Sequence, residues 1–457
     1  MIDKNIFREY DIRGKYPEEI NELVAYKVGR SYATILITKL NKKTCCIGMD
    51  NRHSSPALKA ALVKGLMDSG MNIIDLGLVT TPMFFYGCIH TNNLGIMITA
   101  SHNPKDDNGF KFSFDNLGNA RGKQVYEFRD FTLKDEFIEG HGTLTQFNIY
   151  PYYKSLVRDN ITMGSKRIKA VIDPGNGTTS IYVKDLYRQF PNLDLIVING
   201  DSNPDFPNHH PDPAVESNLT QLINKVKEVK ADIGIAYDGD GDRVGFVDEK
   251  GNIIQADKFL TILIRYLFPK LEDKRMLYDV KCSNIIPEEA KKFQGEAIIY
   301  RTGASYTRAK INQEHIPFGG EYSGHICFND KWPGFDSGLY SGLRMLEILS
   351  NTDKKTSELL EGINKYYNTP EIKIPANDDI KTQIVEEVKN YCIEKNYDIN
   401  TIDGVKIFFS YGWALIRCSN TTPNLTVRFE AENEESLNEL KKEFLDIINK
   451  FIQEKTI

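Results

Sequence analysis

The chain has 457 residues, too many for a single compact core, so two to four domains are expected. It is 41% apolar and 26% charged, with a formal net charge of −6, which is the composition of an ordinary globular protein. A mildly acidic balance argues against duplex nucleic acid or an anionic membrane as the main partner, although local basic clusters can still hold small anions.

Nothing before FREYDIRG (7–14) reads as a charged-then-apolar secretion leader. The longest apolar segment, FLTILIRYLF (259–268), is broken by Arg265 and is too short to span a bilayer. Seven cysteines are scattered without a C-x-x-C pair, and Cys45 and Cys46 sit in one strand pointing to opposite faces. Buried thiols in a reducing compartment fit that set, so a cytoplasmic protein is expected.

Short β-branched runs alternate with helical stretches, the pattern of α/β units. A loose repeat runs through them. KTCCIGMDNR (43–52), IKAVIDPGNG (168–177) and RMLYDVKCSN (275–284) each read as an apolar strand ending in aspartate and a loop. Each precedes, by some tens of residues, a second strand ending in an unusual polar loop: ASHNP (100–104), DGDGDR (238–243) and GGEYSGH (319–325). Three related α/β domains with mixed sheets are therefore expected. After NTPEIK (368–373) the pattern changes to strand-like IDGVKIFFS, WALIRCSN and LTVRFEAE. A closing helix follows, with Leu437, Leu440, Phe444, Ile448 and Phe451 at helical spacing and Asn433 as its cap. This stripe reads as core packing in a fourth, α+β domain. We place the boundaries at 1–149, 150–252, 253–368 and 369–457.

The first polar loop, TASHNPKDDNGFKF (99–112), puts Ser101 at the mouth of the apolar strand LGIMI, beside His102 and with Lys111 downstream. A serine nucleophile for acyl transfer lacks its G-x-S-x-G elbow here, and His102 is expected not to turn back easily onto the neighbouring hydroxyl. A hydroxyl that carries phosphate and hands it on fits better. A helix cap or turn serine is the ordinary role for a lone serine.

DGDGDR is the most specific signal. Strand-like DIGIAY feeds a loop where Asp238, Asp240 and Asp242 alternate with glycines, so three carboxylates can point inward. Each pair at ~4 Å repels by roughly 4 kcal/mol at an effective dielectric of 20, a penalty that a divalent cation removes. Hard oxygen ligands favour magnesium. An EF-hand begins with the same alternation, but Arg243 stands where its glycine is required and a strand enters the loop. A solvated acidic turn is the remaining alternative. Phosphoryl transfer is largely positioning and charge neutralisation, for which metal, Arg243 and Lys111 are the right neighbours.

In GGEYSGH, Glu321, Ser323 and His325 alternate. A carboxylate and a hydroxyl suit vicinal sugar hydroxyls, and a histidine suits acid–base work. IRCSNTTPN (416–424) sets Arg417 among Ser419, Asn420, Thr421 and Thr422, a cup for a phosphate dianion or else a plain polar turn. Tyr10 and Arg13 lie near the start, and FPNHHPDP (206–213) has paired histidines without zinc spacing, so it reads as a Pro-rich loop.

Assembled in order, FREYDIRG, TASHNPKDDNGFKF, FPNHHPDP, AYDGDGDRVG, DVKCS, GGEYSGH, WPGFD and SNTTP closely resemble the α-D-phosphohexomutases, in particular their bacterial bifunctional phosphomannomutase/phosphoglucomutase branch. The resemblance covers essentially the whole chain. It implies four domains around a central cleft, three of them related, and reversible phosphoryl transfer between C1 and C6 of a hexose phosphate. The phosphoserine matches Ser101, and one magnesium ion per chain is implied, bridging the phosphoserine and Asp238, Asp240 and Asp242. His102 falls within the same phosphoserine motif. Lys111 and His325 match acid–base or charge-stabilising positions, and Arg13, Arg243 and Lys281 match cationic ones. Glu321 and Ser323 match the sugar-hydroxyl loop, and Arg417 through Thr421 match the loop for the non-reacting phosphate, with Tyr10 and Thr422 as further substrate-side candidates. Glucose 1,6-bisphosphate is the implied activator, and a monomer acting on hexose phosphate, without nucleic acid or membrane partners, is expected. One departure stands out: in RTGAS (301–305) Ala304 occupies the place of a histidine in the bifunctional enzymes. Phosphoglucosamine is the rival substrate. A metal-dependent sugar-phosphate phosphatase using an aspartate of 238–242, and a non-catalytic phosphosugar-binding protein, are the rival classes.

Overall fold

The structure, a computed structural model, describes residues 2–419 and 423–456, apart from the side chains of residues 378, 379, 455 and 456. By internal packing the chain falls into two units, one running to Ile262 and taking in Ala304–Glu361, the other comprising Leu263–Gly303 and the chain from Gly362 onward.

In the first unit the run TCCIGM forms Thr44–Met49, an inner strand buried along most of its length, as a strand covered on both faces must be. Its sheet has six strands in the spatial order Ile12–Lys15, Asp107–Phe112, Leu94–Ile98, Thr44–Met49, Asn72–Leu78, Leu144–Gln146. Thr44–Met49 pairs parallel with Leu94–Ile98, Met49 opposite Ile98. The chain then doubles back antiparallel into Asp107–Phe112, which sets Lys111 opposite Met97. Helices Glu22–Lys39 and Ser55–Asp68 pack together over the core built around Ile47, Leu62, Ile96 and Phe112.

The second sheet repeats this device. Ile168–Asp173 pairs parallel with Ile233–Tyr237, which turns antiparallel into Val244–Asp248 with Tyr237 opposite Val244. DGDGDR is that turn, so a strand enters the loop and a strand leaves it, the feature that separates it from an EF-hand. Glu249, the twelfth residue counted from Asp238 and so the one an EF-hand would use as its last ligand, instead accepts from the Ser357 hydroxyl and backbone N–H. A third hairpin, Phe318–Gly320 with Ile326–Phe328, encloses the EYSGH turn. Three hairpins thus carry the three polar loops.

In the second unit Arg275–Asp279 pairs parallel with Glu296–Tyr300. The C-terminal sheet runs Asp398–Asn400, Val405–Phe409, Gly412–Cys418, Asn424–Ala431, with Tyr367–Asn368 and Ile372–Pro375 both along the last of these. One face packs against helices Asp378–Glu394 and Glu434–Thr456. Leu440, Phe444 and Ile448 are buried there beside Ile407, Ile416 and Phe429, with Leu437 and Phe451 partly covered. Asn433 caps the closing helix, accepting from the Ser436 N–H at 2.9 Å. Among the described residues no helix is long and apolar enough to cross a membrane. All seven cysteines are free thiols.

Candidate active site

In the first unit the hairpins bring Ser101 to the aspartate loop. Ser101 is buried, and its Oγ donates to Asp238 Oδ2 at 2.8 Å. Its backbone is left-handed, with φ at 52°, a conformation that costs a non-glycine residue energy and needs outside support. That support is visible. The Ser101 N–H donates to Thr99 Oγ1 at 2.8 Å, and its carbonyl accepts from Arg52 Nη2 at 2.9 Å. The same Arg52, fully buried, also donates to the carbonyls of Asn103, Pro104 and Asp107 and pairs with Asp50.

This backbone corrects one expectation. His102 does turn back, with Nδ1 3.2 Å from Ser101 Oγ. Extended backbone sends adjacent side chains to opposite sides, whereas the left-handed Ser101 bends the chain so that both lie on one side. Burial, reinforced by the charges of Arg243 and Arg13, pulls the His102 ring well below the usual histidine range and keeps it neutral.

Asp238 anchors the turn. Its Oδ1 accepts from the Gly241 and Arg243 N–H groups at 3.1 and 3.0 Å. Two glycines make the approach of the loops possible. A Cβ on Gly239 would lie 2.5 Å from the Ser101 carbonyl oxygen, and Gly241 has φ at 80°. Asp240 Oδ2 accepts from Thr81 at 2.7 Å, Thr99 at 3.1 Å and Lys111 at 2.8 Å, and Lys111 also reaches Asp242 Oδ2 at 2.6 Å. Burial alone would lower the Lys111 ammonium, but Asp240 and Asp242 outweigh it and raise the group above its usual value. Burial together with the charges of Asp242 and Asp240 pushes Asp238 well above the carboxylate range. Burial opposes charge on Asp240 too, yet Lys111 and Thr81 hold it below that range.

One carboxylate oxygen from each of Asp238, Asp240 and Asp242 lies within 4.8 Å of the other two. Asp240 Oδ1 and Asp242 Oδ1 are buried with no hydrogen-bond partner. Buried, unpartnered carboxylate oxygens converging with a hydroxyl fit a hard divalent cation, which satisfies them at once.

His325 lies across from Arg243. Arg243 Nε donates to His325 Nε2 at 2.9 Å, which places the ring proton on Nδ1, facing Asp336 Oδ2 at 2.7 Å. Burial disfavours charge on this ring, but Asp242 and Asp336 raise it overall. A second proton would therefore require Arg243 to release Nε2. Glu321 is buried, accepting from Thr307 Oγ1 at 3.0 Å and Ser323 Oγ at 3.2 Å, so carboxylate and hydroxyl share one turn. Arg13 donates to Asn103 at 2.8 Å and pairs with Asp11, which ties it to the serine loop, and Tyr10 packs edge-on against Tyr306. FPNHHPDP is a loop as expected: His209 Nε2 meets Asp173, at the end of strand Ile168–Asp173, at 2.9 Å, and Asp212 lies 3.9 Å from Arg243 of the site.

In the second unit Lys281 donates to Glu371 at 2.7 Å, and Arg417 Nε donates to Asp403 at 2.9 Å. Arg417 acts electrostatically on both Lys281 and Glu371, so the two cations share a neighbourhood. The Ser419 carbonyl accepts from Lys381 at 2.8 Å. Asn420, Thr421 and Thr422 lie outside the described residues.

Four domain models, described as phosphoglucomutase/phosphomannomutase α/β/α domains I, II and III and the C-terminal domain, match residues 4–137, 151–251, 255–366 and 371–447 in order. The chain belongs to the phosphoglucomutase/phosphomannomutase family. It is 36% identical over 447 residues to a phosphomannomutase/phosphoglucomutase of Pseudomonas syringae pv. tomato, covering 97% of this chain and 95% of that one. It is 35% identical over 455 residues to a phosphoglucomutase of Neisseria gonorrhoeae, covering 98% and 97%. A crystal structure of a phosphoglucomutase/phosphomannomutase family protein from Burkholderia thailandensis superposes with a TM-score of 0.91 at 31% identity, covering 99% and 98%. Family members transfer phosphate between C1 and C6 of hexose phosphates. Arg52, Thr81, Thr99 and Asp336 are site residues that the motifs alone do not single out: Thr99, Asp336 and Arg52 lie inside TASHNP, WPGFD and DNR without a role readable from the letters, and Thr81 lies outside every motif. DNR places Arg52 at the end of the first repeat strand, but nothing in those letters says which loop it grips.

Proposed function

We propose that this chain moves phosphate reversibly between the 1- and 6-positions of mannose and glucose phosphates, by way of phospho-Ser101 and a hexose 1,6-bisphosphate. The observation that carries the proposal is the 2.8 Å hydrogen bond from Ser101 Oγ into a buried three-aspartate cluster that Lys111 bridges. A hydroxyl so placed is surrounded by the charges a phosphoryl group needs, without the base-and-orienter pair of an acyl-transfer serine.

In this reading the phosphoryl group leaves Ser101 Oγ for the free hydroxyl of the bound monophosphate. The bond to serine breaks as the bond to the sugar oxygen forms, and the proton lost by the sugar hydroxyl is matched by the one that Ser101 Oγ regains, so the transfer is proton-neutral. His102 is the ring placed to exchange a proton with Ser101 Oγ, and Lys111, Arg243 and His325 supply charge and acid–base capacity. Asp238, Asp240, Asp242 and Ser101 would hold one magnesium ion, which would supply neutralisation of phosphate charge. Glu321 and Ser323 grip sugar hydroxyls. Arg417, Ser419, Asn420, Thr421 and Thr422 hold the opposite phosphate, with Tyr10, Arg13 and Lys281 as further contacts. The bisphosphate turns over, and its other phosphate returns to Ser101. Glucose 1,6-bisphosphate primes the serine. We further assign a cytoplasmic monomer with domains at 1–149, 150–252, 253–368 and 369–457.

Initial rates on mannose 1-phosphate and glucose 1-phosphate, with magnesium and a trace of glucose 1,6-bisphosphate, test this. Comparable turnover of both is expected, with Ala304 tolerated. Turnover of glucosamine 1-phosphate alone would shift the substrate, and phosphate release without isomerisation would replace the mutase with a phosphatase.

A further inference from the structure

We infer that Lys406 and Arg428 are positioning residues for Lys281, acting from the second face of the C-terminal sheet. The inference rests on the reading of Lys281 as a substrate-binding cation.

Strand register puts the relevant side chains on that one face. Lys406 pairs with Leu415 and Leu415 with Arg428, while Phe408 pairs with Trp413 and Trp413 with Glu430. Alternation along Gly412–Cys418 sets Arg417 on the same side as Trp413 and Leu415. The opposite face carries Ile407, Ala414, Ile416, Val427 and Phe429 and is fully used by the helical layer. The second face has an apolar patch of Trp413, Leu415 and Val280, and around it sit charges that an ordinary core does not contain. Lys406, Arg428 and Glu430 are at most 1% exposed.

These charges converge on the loop after Arg275–Asp279. Lys406 Nζ donates to the carbonyls of Val280 at 2.9 Å and Cys282 at 3.1 Å, and Arg428 Nη1 donates to the carbonyl of Lys281 between them. Three consecutive carbonyls are therefore held by two buried cations. Glu430 continues the clamp, accepting from the Asn284 N–H at 2.9 Å and from Trp413 Nε1 at 2.8 Å. Lys406 also lies 3.9 Å from the centre of the Trp413 ring. With its backbone fixed on three sides, Lys281 directs its ammonium to Glu371 at 2.7 Å.

A fully buried lysine is an expensive way to pack a sheet face. Burial, opposed by Glu430, lowers the Lys406 ammonium to about 8. A methionine of similar length would fill the space without that cost but would leave two carbonyls uncapped. The pattern is explained if the conformation of the Lys281 loop matters more than the stability lost.

The test uses full-length Lys406→Met, Lys406→Arg, Lys281→Met and the double variant Lys281→Met/Lys406→Met. Steady-state KM and kcat are measured on glucose 1-phosphate and mannose 1-phosphate, beside thermal unfolding. Lys406→Met is expected to raise KM about tenfold with kcat changed less than about threefold, and Lys406→Arg to restore most of the loss. In the Lys281→Met background the same substitution should change KM less than about twofold, because the residue it acts through is gone. An unchanged KM in Lys406→Met, or an equal rise in both backgrounds, overturns the inference. If Lys406→Met does not fold, Arg428→Lys, which keeps the charge and loses the fork, is put through the same comparison. A wild-type protein that turns over no hexose phosphate refutes the mutase reading itself, an outcome read before any variant is compared.

Discussion

Ser101 gathers most of the site's chemistry onto one residue. It is held in a left-handed backbone, its hydroxyl donates into the aspartate cluster, and a neutral His102 ring lies on its other side. Ser101→Ala removes the oxygen that would carry phosphate and little else. Turnover should fall at least ~10³-fold, while calorimetric binding of hexose phosphate stays within a few-fold of wild type. Asp240 and Asp242 each keep one buried oxygen without a hydrogen-bond partner, so the cluster is more than a set of acceptors for Lys111. Asp242→Asn should weaken magnesium binding at least ~10-fold, measured by titrating activity with the metal after chelator treatment. Unchanged metal dependence in that variant would remove Asp242 from the ligand set.

At the scale of elements, two loops are held by buried cations gripping backbone carbonyls. Arg52 grips four carbonyls of the serine loop and pairs with Asp50. Arg52→Met should cost roughly 3–5 kcal/mol, read by urea unfolding, because it leaves Asp50 buried and those carbonyls unmet. It should also lower kcat about 10²-fold by letting Ser101 relax. In the second unit the Lys281 charge, against the opposing effect of burial, pulls Glu371 from 4.5 to about 2. The resulting stabilisation, roughly 3 kcal/mol, is present above the unfolded value and is lost as pH falls from about 4.5 to about 2. Unfolding free energies between pH 2 and 7 should therefore show a shallower acid limb in Glu371→Gln than in the wild type. The hairpins themselves were legible, because strand periodicity and turn residues are local. LGIMI and DIGIAY announce strands, and the glycines of DGDGDR announce the tight return. The cations that secure the loops were not legible. Arg52 reaches loop residues some fifty positions away, and Lys406 reaches Val280 across 126 positions, so only the folded register reveals either.

For the molecule as a whole, the order of motifs along the chain told more than any one of them. ASHNP, DGDGDR, GGEYSGH and SNTTP are each short enough to occur by chance, but their sequence over 457 residues points to one family, and the four matching domain models bear that out. The repeat strands were likewise readable as a plan, since the first two polar loops each sit in the turn of a hairpin whose first strand is paired parallel with its neighbour. The backbone of Ser101 lay beyond that reading. A left-handed serine is fixed by distant partners, and it reverses what adjacency alone suggests about His102. Magnesium dependence is expected of the whole enzyme: exhaustive chelation should abolish turnover, and magnesium should restore it. Phosphate on Ser101 is tested by peptide mass spectrometry after incubation with glucose 1,6-bisphosphate. One phosphoryl group on the peptide containing Ser101, discharged by added hexose monophosphate, is the predicted result. Phosphate found instead on an aspartate of 238–242, or no covalent phosphate in an active enzyme, would contradict the account.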